Sequence, residues 1–295
     1  MSTILRAMTR DGSARAYVIN STDIVNEAIK YHKTAPTATA LLGRVLTATS
    51  VMGTMLPEVD SKITVSIRGN GIAGTTLACA DYYGNVKGYV ANPNADLPLK
   101  PSGKLDVSGI VGQGLLSVSK DVGAEVPFNG SVELISGEIA EDIASYYATS
   151  EQTPTLCALG VLVDTDYTCK AAGGVFVQLL PFADENVITK LEENAKLLNN
   201  ISTQFAKGLS NEDILKLTLN GIEYDLFDEL YVDYKCDCSY DRTKRAVYSL
   251  GKKEVEDIFS EQRANGQEEK ITVSCHFCNK EYDFPKDVAL KLFEK

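Results

Sequence analysis

Four cysteines near the end of the sequence carry its most specific chemistry. They form two close pairs separated by 36 residues, at positions Cys236, Cys238, Cys275 and Cys278. Structural zinc prefers four sulfur or nitrogen ligands in a tetrahedral arrangement, and two close cysteine pairs supply such a set. The spacing therefore predicts that these four thiolates bind one zinc ion in a small C-terminal unit.

The identity of the ligands also bears on reactivity. Four thiolates without a histidine would put all the metal-binding sulfur in its nucleophilic, oxidisable form. A disulfide between near neighbours such as Cys236 and Cys238 tends to be strained and therefore labile. The spacing alone leaves two possibilities open, an inert structural zinc site and a redox-sensitive one.

The other three cysteines are predicted to have no metal-binding role. Cys79, Cys157 and Cys169 lie in apolar or mixed contexts, where a free cysteine usually behaves as a small buried hydrophobe. Seven cysteines are an odd number, and no secretory leader is recognisable at the start of the sequence. Both observations argue against a static disulfide framework.

Other motifs give little support for an enzyme. Residues 69–74 match the GxGxxG pattern of dinucleotide-binding loops, but a strand is expected after them instead of a helix. Residues 117–120 match SxxK within a strand-like segment. His32 and His276 are the only histidines, and neither has a nucleophile and a carboxylate arranged about it. We expect no enzyme, with a thiol oxidoreductase that uses Cys236 as the enzymatic alternative.

Charge and hydropathy limit the partners. The formal net charge is −11, so the protein repels phosphate backbones and anionic lipid. A nucleic-acid-associated zinc protein is therefore a disfavoured alternative. The most apolar stretch, residues 38–56, is interrupted by Arg44 and several hydroxyl side chains, which predicts a buried helix and not a membrane span. A cytoplasmic protein without a membrane or specific nucleic-acid partner is expected.

The elements that must position the cysteines follow from the hydrophobic pattern. The first part of the chain predicts an α+β fold, with a helix that starts from Ser136 as its N-cap. The segments predicted as strands are 62–68, 86–90, 114–119, 131–135 and 175–180.

Helical periodicity dominates after about residue 184. One helix is predicted from Asp184 to Gly208, and a second follows from a capping box at Ser210 to Gly221. These amphipathic helices are either a connector packed on the first domain, or their apolar faces are a surface that can be uncovered and used for binding.

The cysteine pattern and its position after these helices resemble the heat-shock protein 33 family of redox-regulated holdase chaperones. The resemblance extends over nearly the whole chain, and besides the cysteine pairs it rests on residues 37–44, 84–90, 130–134, 136–142, 150–154 and 171–174.

This resemblance implies three regions. An N-terminal α+β domain for substrate binding and dimerisation would span residues 1–183. A metastable helical linker would span residues 184–234, and a zinc-binding redox switch would span residues 235–295.

The resemblance also implies a mechanism. In the family, the reduced protein holds zinc and is inactive. Oxidation forms disulfides between Cys236 and Cys238 and between Cys275 and Cys278, releases zinc, unfolds the tail and destabilises the linker. The oxidised protein is then a homodimer that holds unfolded client proteins without ATP.

The cysteine spacing generates a test of the metal prediction. The purified, reduced protein is expected to contain about one zinc per chain by elemental analysis, because a closed structural site uses all four thiolates. A Cys278→Ser variant should lose this zinc, whereas a Cys79→Ser variant should keep it. Reduced protein that contains no metal would contradict the prediction.

Overall fold

Strands and helices alternate in the first of two units, Met1–Lys235, and the second unit is Cys236–Lys295. The computed structural model of the chain describes residues 1–294. The strands of the first unit are β1 Ser2–Thr9, β2 Ala14–Asn20, β3 Lys62–Gly69, β4 Thr75–Asp81, β5 Val86–Val90, β6 Gly114–Asp121, β7 Phe128–Glu133, β8 Thr155–Val163, β9 Cys169–Leu179 and β10 Tyr224–Val232. Its helices are α1 Thr22–His32, α2 Pro36–Gly53, α3 Val107–Val111, α4 Ala140–Thr149, α5 Glu185–Ala195, α6 Ile201–Ala206 and α7 Asn211–Thr218.

The ten strands form two antiparallel sheets of five strands each. The first sheet has the order β10-β1-β2-β9-β8, and the second has the order β5-β4-β3-β6-β7. The alternating burial along β4, for example, fits a strand with one face towards a core. Antiparallel sheets combined with helices confirm the predicted α+β class.

Helix α2 is the centre of this unit. Its side chains share one core with residues of both sheets, such as Phe176 from the first and Val65 from the second. Every residue of the helix except Pro36 and Arg44 is buried, as predicted for this stretch. Some of its buried hydroxyls bond within the helix, such as Thr47, which donates to the carbonyl oxygen of Gly43 at 2.7 Å, whereas Ser50 donates to the distant carbonyl oxygen of Gly84. Within residues 1–294, no helix is long and apolar enough to cross a bilayer.

The helices after residue 184 cover the opposite face of the first sheet. Ile201 and Phe205 of α6 lie in a second core together with strand residues such as Val18. The close approach of α6 requires a missing side chain, because a Cβ at Gly173 would lie 2.3 Å from Cε2 of Phe205. The segment predicted as a linker is therefore packed within the first unit.

The predicted starts of these helices are confirmed. The Asp184 side chain accepts a hydrogen bond from the amide of Asn186 at 2.8 Å. Ser210 and Asp213 form the expected capping box at the start of α7. Both caps satisfy amides that would otherwise lack an intrahelical partner.

The prediction of one continuous helix from Asp184 to Gly208 is wrong. The helix ends at Ala195, a single 3₁₀ turn follows, and Asn200 adopts a left-handed conformation with φ of 61° before α6 begins. Asparagine tolerates this conformation better than most residues. The Asn194 side chain adds a second reason, since it donates to the carbonyl oxygens of Thr218 and Asn220 and so ties the end of α5 to α7.

The segment predicted as helical to residue 234 ends in a strand. β10 pairs with β1 along its whole length, and Arg6 donates two hydrogen bonds to the carboxylate of Asp228 across this pair. The sequence prediction missed the strand because an edge strand with both faces partly exposed lacks a clean alternation.

Ser136 does not cap the following helix. The helix begins at Ala140, after Ile139 with φ of 67°. The carboxylate of Asp142 accepts hydrogen bonds from the amides of residues 135–137 and 139, and these bonds stabilise a turn where the first helical turn was expected. A buried aspartate therefore decides the start of α4.

The glycine-rich residues 69–74 serve packing. The chain continues after them as the strand β4, as predicted. A Cβ at Gly69 would lie 1.9 Å from the carbonyl oxygen of Val111, and one at Gly71 would lie 2.3 Å from that of Ile110. These glycines allow the backbone of the loop to approach α3 closely.

The second unit is small and has its own core. Its elements are α8 Tyr240–Ser249, α9 Lys252–Ala264, β11 Lys270–Ser274, β12 Glu281–Pro285 and α10 Lys286–Lys291. β11 and β12 form a hairpin. Phe259 and Phe284 are the largest fully buried side chains of its core, which contains seven buried residues among those described.

An ion network ties α2 to two loops of the first unit. Glu138 binds the Nη1 atom of Arg44 at 2.8 Å and the Nζ atom of Lys100 at 2.5 Å. Burial alone raises the pKa of Glu138, but the hydrogen bonds from Lys100 and Arg44 outweigh burial and lower this pKa to about 2.

The depressed pKa gives a pH-dependent prediction. A Glu138→Gln variant should have a free energy of unfolding lower by about 1–2 kcal/mol at pH 6, measured by urea denaturation. A carboxylate with a lowered folded-state pKa stabilises the fold above its unfolded pKa and loses this contribution as pH falls towards 2. The difference should therefore shrink between pH 4.5 and pH 2, starting near the ordinary glutamate value of 4.5.

The exposed Glu141 of α4 provides the matched control for this measurement. Glu141→Gln is expected to change the unfolding free energy by less than about 0.5 kcal/mol at either pH. A Glu138→Gln difference that is the same at pH 6 and pH 3 would argue against the ion network as its cause.

Candidate metal centre

The first two candidate ligands lie directly before a helix. Cys236 and Cys238 belong to an extended segment, and Ser239 caps α8 by accepting a hydrogen bond from the amide of Arg242. Arg242 also donates to the carboxylate of Asp237 at 3.1 Å. The cap and this ion pair hold the segment that carries both sulfurs.

The second two candidate ligands lie in the turn of the β11–β12 hairpin. The amide of Cys275 donates to the carbonyl oxygen of Lys280 at 2.9 Å, and the amide of Asn279 donates to the carbonyl oxygen of Cys275 at 2.8 Å. Asn279 has φ of 55°, which closes the turn tightly. This turn presents the Cys275 and Cys278 side chains together.

All four sulfur atoms converge. They lie within 4.8 Å of one another, and each of the four cysteines is half-buried. The shortest separations join the two pairs, 3.6 Å between the sulfurs of Cys236 and Cys275 and 3.5 Å between those of Cys238 and Cys278. Four sulfurs around a tetrahedral zinc, each at about 2.3 Å, are about 3.8 Å apart. The donor set and its spacing fit a zinc ion.

The pKa values of the Cys236 and Cys238 thiols are shifted in opposite directions. Burial is the largest influence on Cys236 and raises the pKa of its thiol. Burial opposes ionisation of Cys238 as well, but hydrogen bonds from the Tyr282 hydroxyl and from the neighbouring thiols lower its pKa. Within the cluster the thiolate form of Cys238 is therefore favoured over that of Cys236, and a divalent cation is needed to stabilise four thiolates at this distance.

Sequence reasoning missed one residue of the site. The hydroxyl of Tyr282 donates to the sulfur of Cys238 at 3.1 Å, and the Tyr282 ring is buried in the core of the second unit. Hydrogen bonds of this kind orient metal ligands and tune their basicity. The two residues are 44 positions apart, so no local pattern in the sequence relates them.

The other three cysteines belong to the first unit. Cys169 is buried, whereas Cys79 and Cys157 are half-buried, so the prediction of small buried hydrophobes holds fully for Cys169 alone. Burial raises the pKa of the thiols of Cys157 and Cys169, which keeps both in the unreactive, protonated form.

Comparison with known proteins agrees with the resemblance seen in the sequence. The family described as "Hsp33 protein" matches residues 2–285. A 33 kDa chaperonin of Clostridioides difficile is 44% identical over 293 residues, covering 99% of this chain and 98% of that protein. A 33 kDa chaperonin of Clostridium acetobutylicum is 42% identical, with coverage of 99% and 97%.

A solved structure matches over the same extent. The crystal structure of the 33 kDa chaperonin, or heat shock protein 33 homolog, of Thermotoga maritima superimposes with a TM-score of 0.90. It is 36% identical, and the match covers 98% of this chain and 97% of that chain. Matches of this length and identity include both units and all four clustered cysteines, and the chain belongs to the Hsp33 family.

Proposed function

We propose that this protein is a redox-regulated, ATP-independent holdase chaperone that binds unfolding client proteins under oxidative stress. The observation that carries the proposal is the set of four half-buried sulfurs within 4.8 Å of one another, in a chain of the Hsp33 family. Its action is binding and release, without a catalytic residue.

The reduced form is the inactive one in this proposal. Its ligands are the four clustered cysteines, Cys236, Cys238, Cys275 and Cys278. One zinc ion bound there supplies a positive charge that stabilises the four thiolates. The core of the second unit has only seven buried residues among those described, too few to stabilise the unit without additional cross-links.

Oxidation converts the ligands into a form that cannot bind metal. Each pair gives two electrons to a peroxide, which is reduced to water, and the two sulfurs join in a disulfide. We assign the disulfides to Cys236 with Cys238 and to Cys275 with Cys278. Once the unit unfolds, the members of a pair stay close, whereas a bridge between pairs must close a loop of 36 intervening residues against chain entropy.

The linker, residues 184–234, provides the link to client binding. Its helices bury apolar side chains against the second core, including Leu191, Ile214 and Leu215. If these helices detach, strand residues on that face, such as Val18 and Val175, become exposed. A contiguous apolar face of this kind is what a partly unfolded client can bind.

The remaining assignments belong to the same proposal. Residues 1–183 form the client-binding and dimerisation domain, and residues 235–295 form the zinc-dependent switch. The activated protein is a homodimer that works in the cytoplasm and binds neither a specific nucleic acid nor a membrane. The net charge of −11 supports the last two points.

An oxidant titration tests the switch. Reduced protein should fail to suppress aggregation of heat-unfolded citrate synthase, and suppression should rise together with zinc release as peroxide is added at an unfolding temperature. Zinc release is followed with a colorimetric chelator and aggregation by light scattering, on the same sample. Peptide mapping of the oxidised sample should show disulfides within each pair.

The Cys79→Ser variant serves as the control for this titration, because Cys79 is a free cysteine outside the cluster. It should behave like the unaltered protein. Equal suppression by the reduced, zinc-loaded protein and the oxidised, zinc-free protein would refute the switch, and a dominant disulfide between the pairs would refute the pairing.

Tyr282 provides a test of the zinc site itself. A Tyr282→Phe variant should bind zinc about tenfold more weakly in competition with a chelator, because it lacks the hydroxyl that stabilises the Cys238 thiolate. Affinity should fall with decreasing pH in both proteins, since protons compete with the metal for the thiolates.

Tyr248 is the matched control, since it lies in the same unit and its ring is 57% exposed. Tyr248→Phe should leave zinc affinity within about twofold, as expected for a surface hydroxyl. Unchanged affinity in Tyr282→Phe would show that the hydrogen bond to Cys238 does not support metal binding.

A further inference from the structure

The strand β8 forms one edge of the first sheet and pairs only with β9. Along an antiparallel pair, residues alternate between bonding the neighbouring strand and pointing their backbone groups away from it. The bonds from the Leu179 amide to the Pro154 carbonyl and from the Asp164 amide to the Thr168 carbonyl set this alternation. The backbone N–H and C=O groups of alternate β8 residues therefore point outward, among them those of Leu159, Val161 and Val163.

The far side of the same ladder gives an independent check. Ala172 lies opposite Val161. Its carbonyl oxygen accepts from the amide of Ser21 at 2.9 Å, and its amide donates to the Thr22 hydroxyl at 3.0 Å. Ala172 thus bonds away from β8, as it must if the backbone groups of Val161 also point away from β9.

These outward groups are unsatisfied within residues 1–294. None of the amides or carbonyls of Leu159, Val161 and Val163 has a hydrogen-bond partner there. They border a cavity of about 440 Å³ that is also lined by α2, by residues 99–105 and by the start of α6. A free row of strand donors and acceptors beside a cavity is a template for another strand.

β8 also lacks the features that usually protect a sheet edge. Its sequence, TLCALGVLV, contains no charged residue and no proline. The other three edge strands of the two large sheets each carry charge, at Lys87 in β5, Glu133 in β7 and Asp225 in β10 among others. Charges on an edge strand prevent unwanted pairing with other chains. β8 differs from the other three edge strands in lacking this protection.

Two cations line the same cavity. The Nε atom of Arg44 is buried and has no hydrogen-bond partner among the described residues. Lys104 is exposed and makes no ion pair within residues 1–294. The Asp164 carboxylate at the end of β8 also lines the cavity and already pairs with Lys170 at 3.6 Å. The two cations outnumber the one carboxylate residue of the lining, so the cavity favours an occupant that brings oxygen acceptors.

We propose that the outer edge of β8 binds an extended segment of an unfolded polypeptide as a sixth strand of the first sheet, with acidic groups of that segment towards Arg44 and Lys104. This inference rests on the proposed holdase function and specifies where a client is bound. An extended chain offers donors and acceptors that recur every second residue, which matches the spacing of the three outward residues. Because main-chain bonds carry such binding, it tolerates many client sequences.

Helix α6 forms one wall of the cavity and also belongs to the proposed linker. Gly160 faces α6 so closely that a Cβ there would lie 2.7 Å from the backbone nitrogen of Ser202. α6 belongs to the linker that we propose to detach on oxidation. Its departure widens access to the edge, so the site is expected to take up longer segments in the oxidised protein.

Hydrogen exchange on the unaltered, oxidised full chain tests the proposal directly. The probe is reduced, carboxymethylated α-lactalbumin, which is permanently unfolded and acidic. Mass spectrometry should show slower exchange in peptides that cover residues 157–163 when the probe is present, by about fivefold for each amide that gains a hydrogen bond. If the probe binds and exchange of these residues is unchanged, the proposal is wrong.

A proline substitution tests the backbone contact. Val163→Pro removes an outward N–H at the end of the strand without removing a bond to β9. It should weaken probe binding about fivefold, measured by fluorescence anisotropy. Val163→Thr keeps the N–H and should bind within about twofold. Equal binding by both variants would contradict the proposal, and the exchange experiment decides the question if Val163→Pro does not fold.

The result separates this inference from the function on which it rests. Oxidised protein that does not suppress aggregation refutes the holdase function. Suppression without protection of β8 refutes only the β8 site. If β8 is already protected without the probe, and Val163→Pro dissociates a dimer, the edge is a contact between two copies of the chain and the client site is refuted.

Discussion

The second unit depends on four sulfur atoms that are close enough to repel one another as thiolates. Their separations of 3.5 and 3.6 Å suit a tetrahedral cation and are unfavourable for four anions alone. The surrounding core is small, and much of its buried aromatic surface comes from Phe259, Tyr282 and Phe284. A unit with so little apolar burial would gain much of its stability from a cation bound by these four sulfurs.

The first unit is built on a different principle. α2 is buried between two five-stranded sheets, and its packing requires neither a metal nor a disulfide. The helices after residue 184 are built differently. They are short, interrupted at Asn200, and held to the first sheet by one amphipathic face. Short amphipathic helices derive most of their stability from tertiary packing, which is why the proposed mechanism has this layer detach.

The helices after residue 184 and the metal-binding unit are close to one another along the chain. The strand β10 ends at Val232, and Cys236 follows after three residues. In the proposed mechanism, unfolding of the second unit therefore acts first on the strand β10 and, through the chain, on the helices that precede it. In the two proposals above, the first sheet offers a client two kinds of surface, an apolar face beneath the linker helices and the uncharged edge of β8. The face provides hydrophobic contact, and the edge provides main-chain hydrogen bonds.

Local patterns in the sequence were sufficient for much of this description. The two cysteine pairs indicated the metal centre, since ligand type and short spacing carry that information locally. The length and apolarity of α2 and the caps at Asp184 and Ser210 were equally readable, because each depends on a few neighbouring residues.

Tertiary structure decided the rest. The break at Asn200 and the start of α4 depend on side chains that reach distant or unexpected backbone groups, such as that of Asn194. β10 forms a strand because it pairs with β1, which is distant in the sequence. The paired residues Arg6 and Asp228, for example, are 222 positions apart. The hydrogen bond from Tyr282 to Cys238 and the open edge of β8 likewise exist only after the chain has folded. Such features depend on residues that are far apart in the sequence, whereas a periodic pattern or a motif reports only on neighbouring residues.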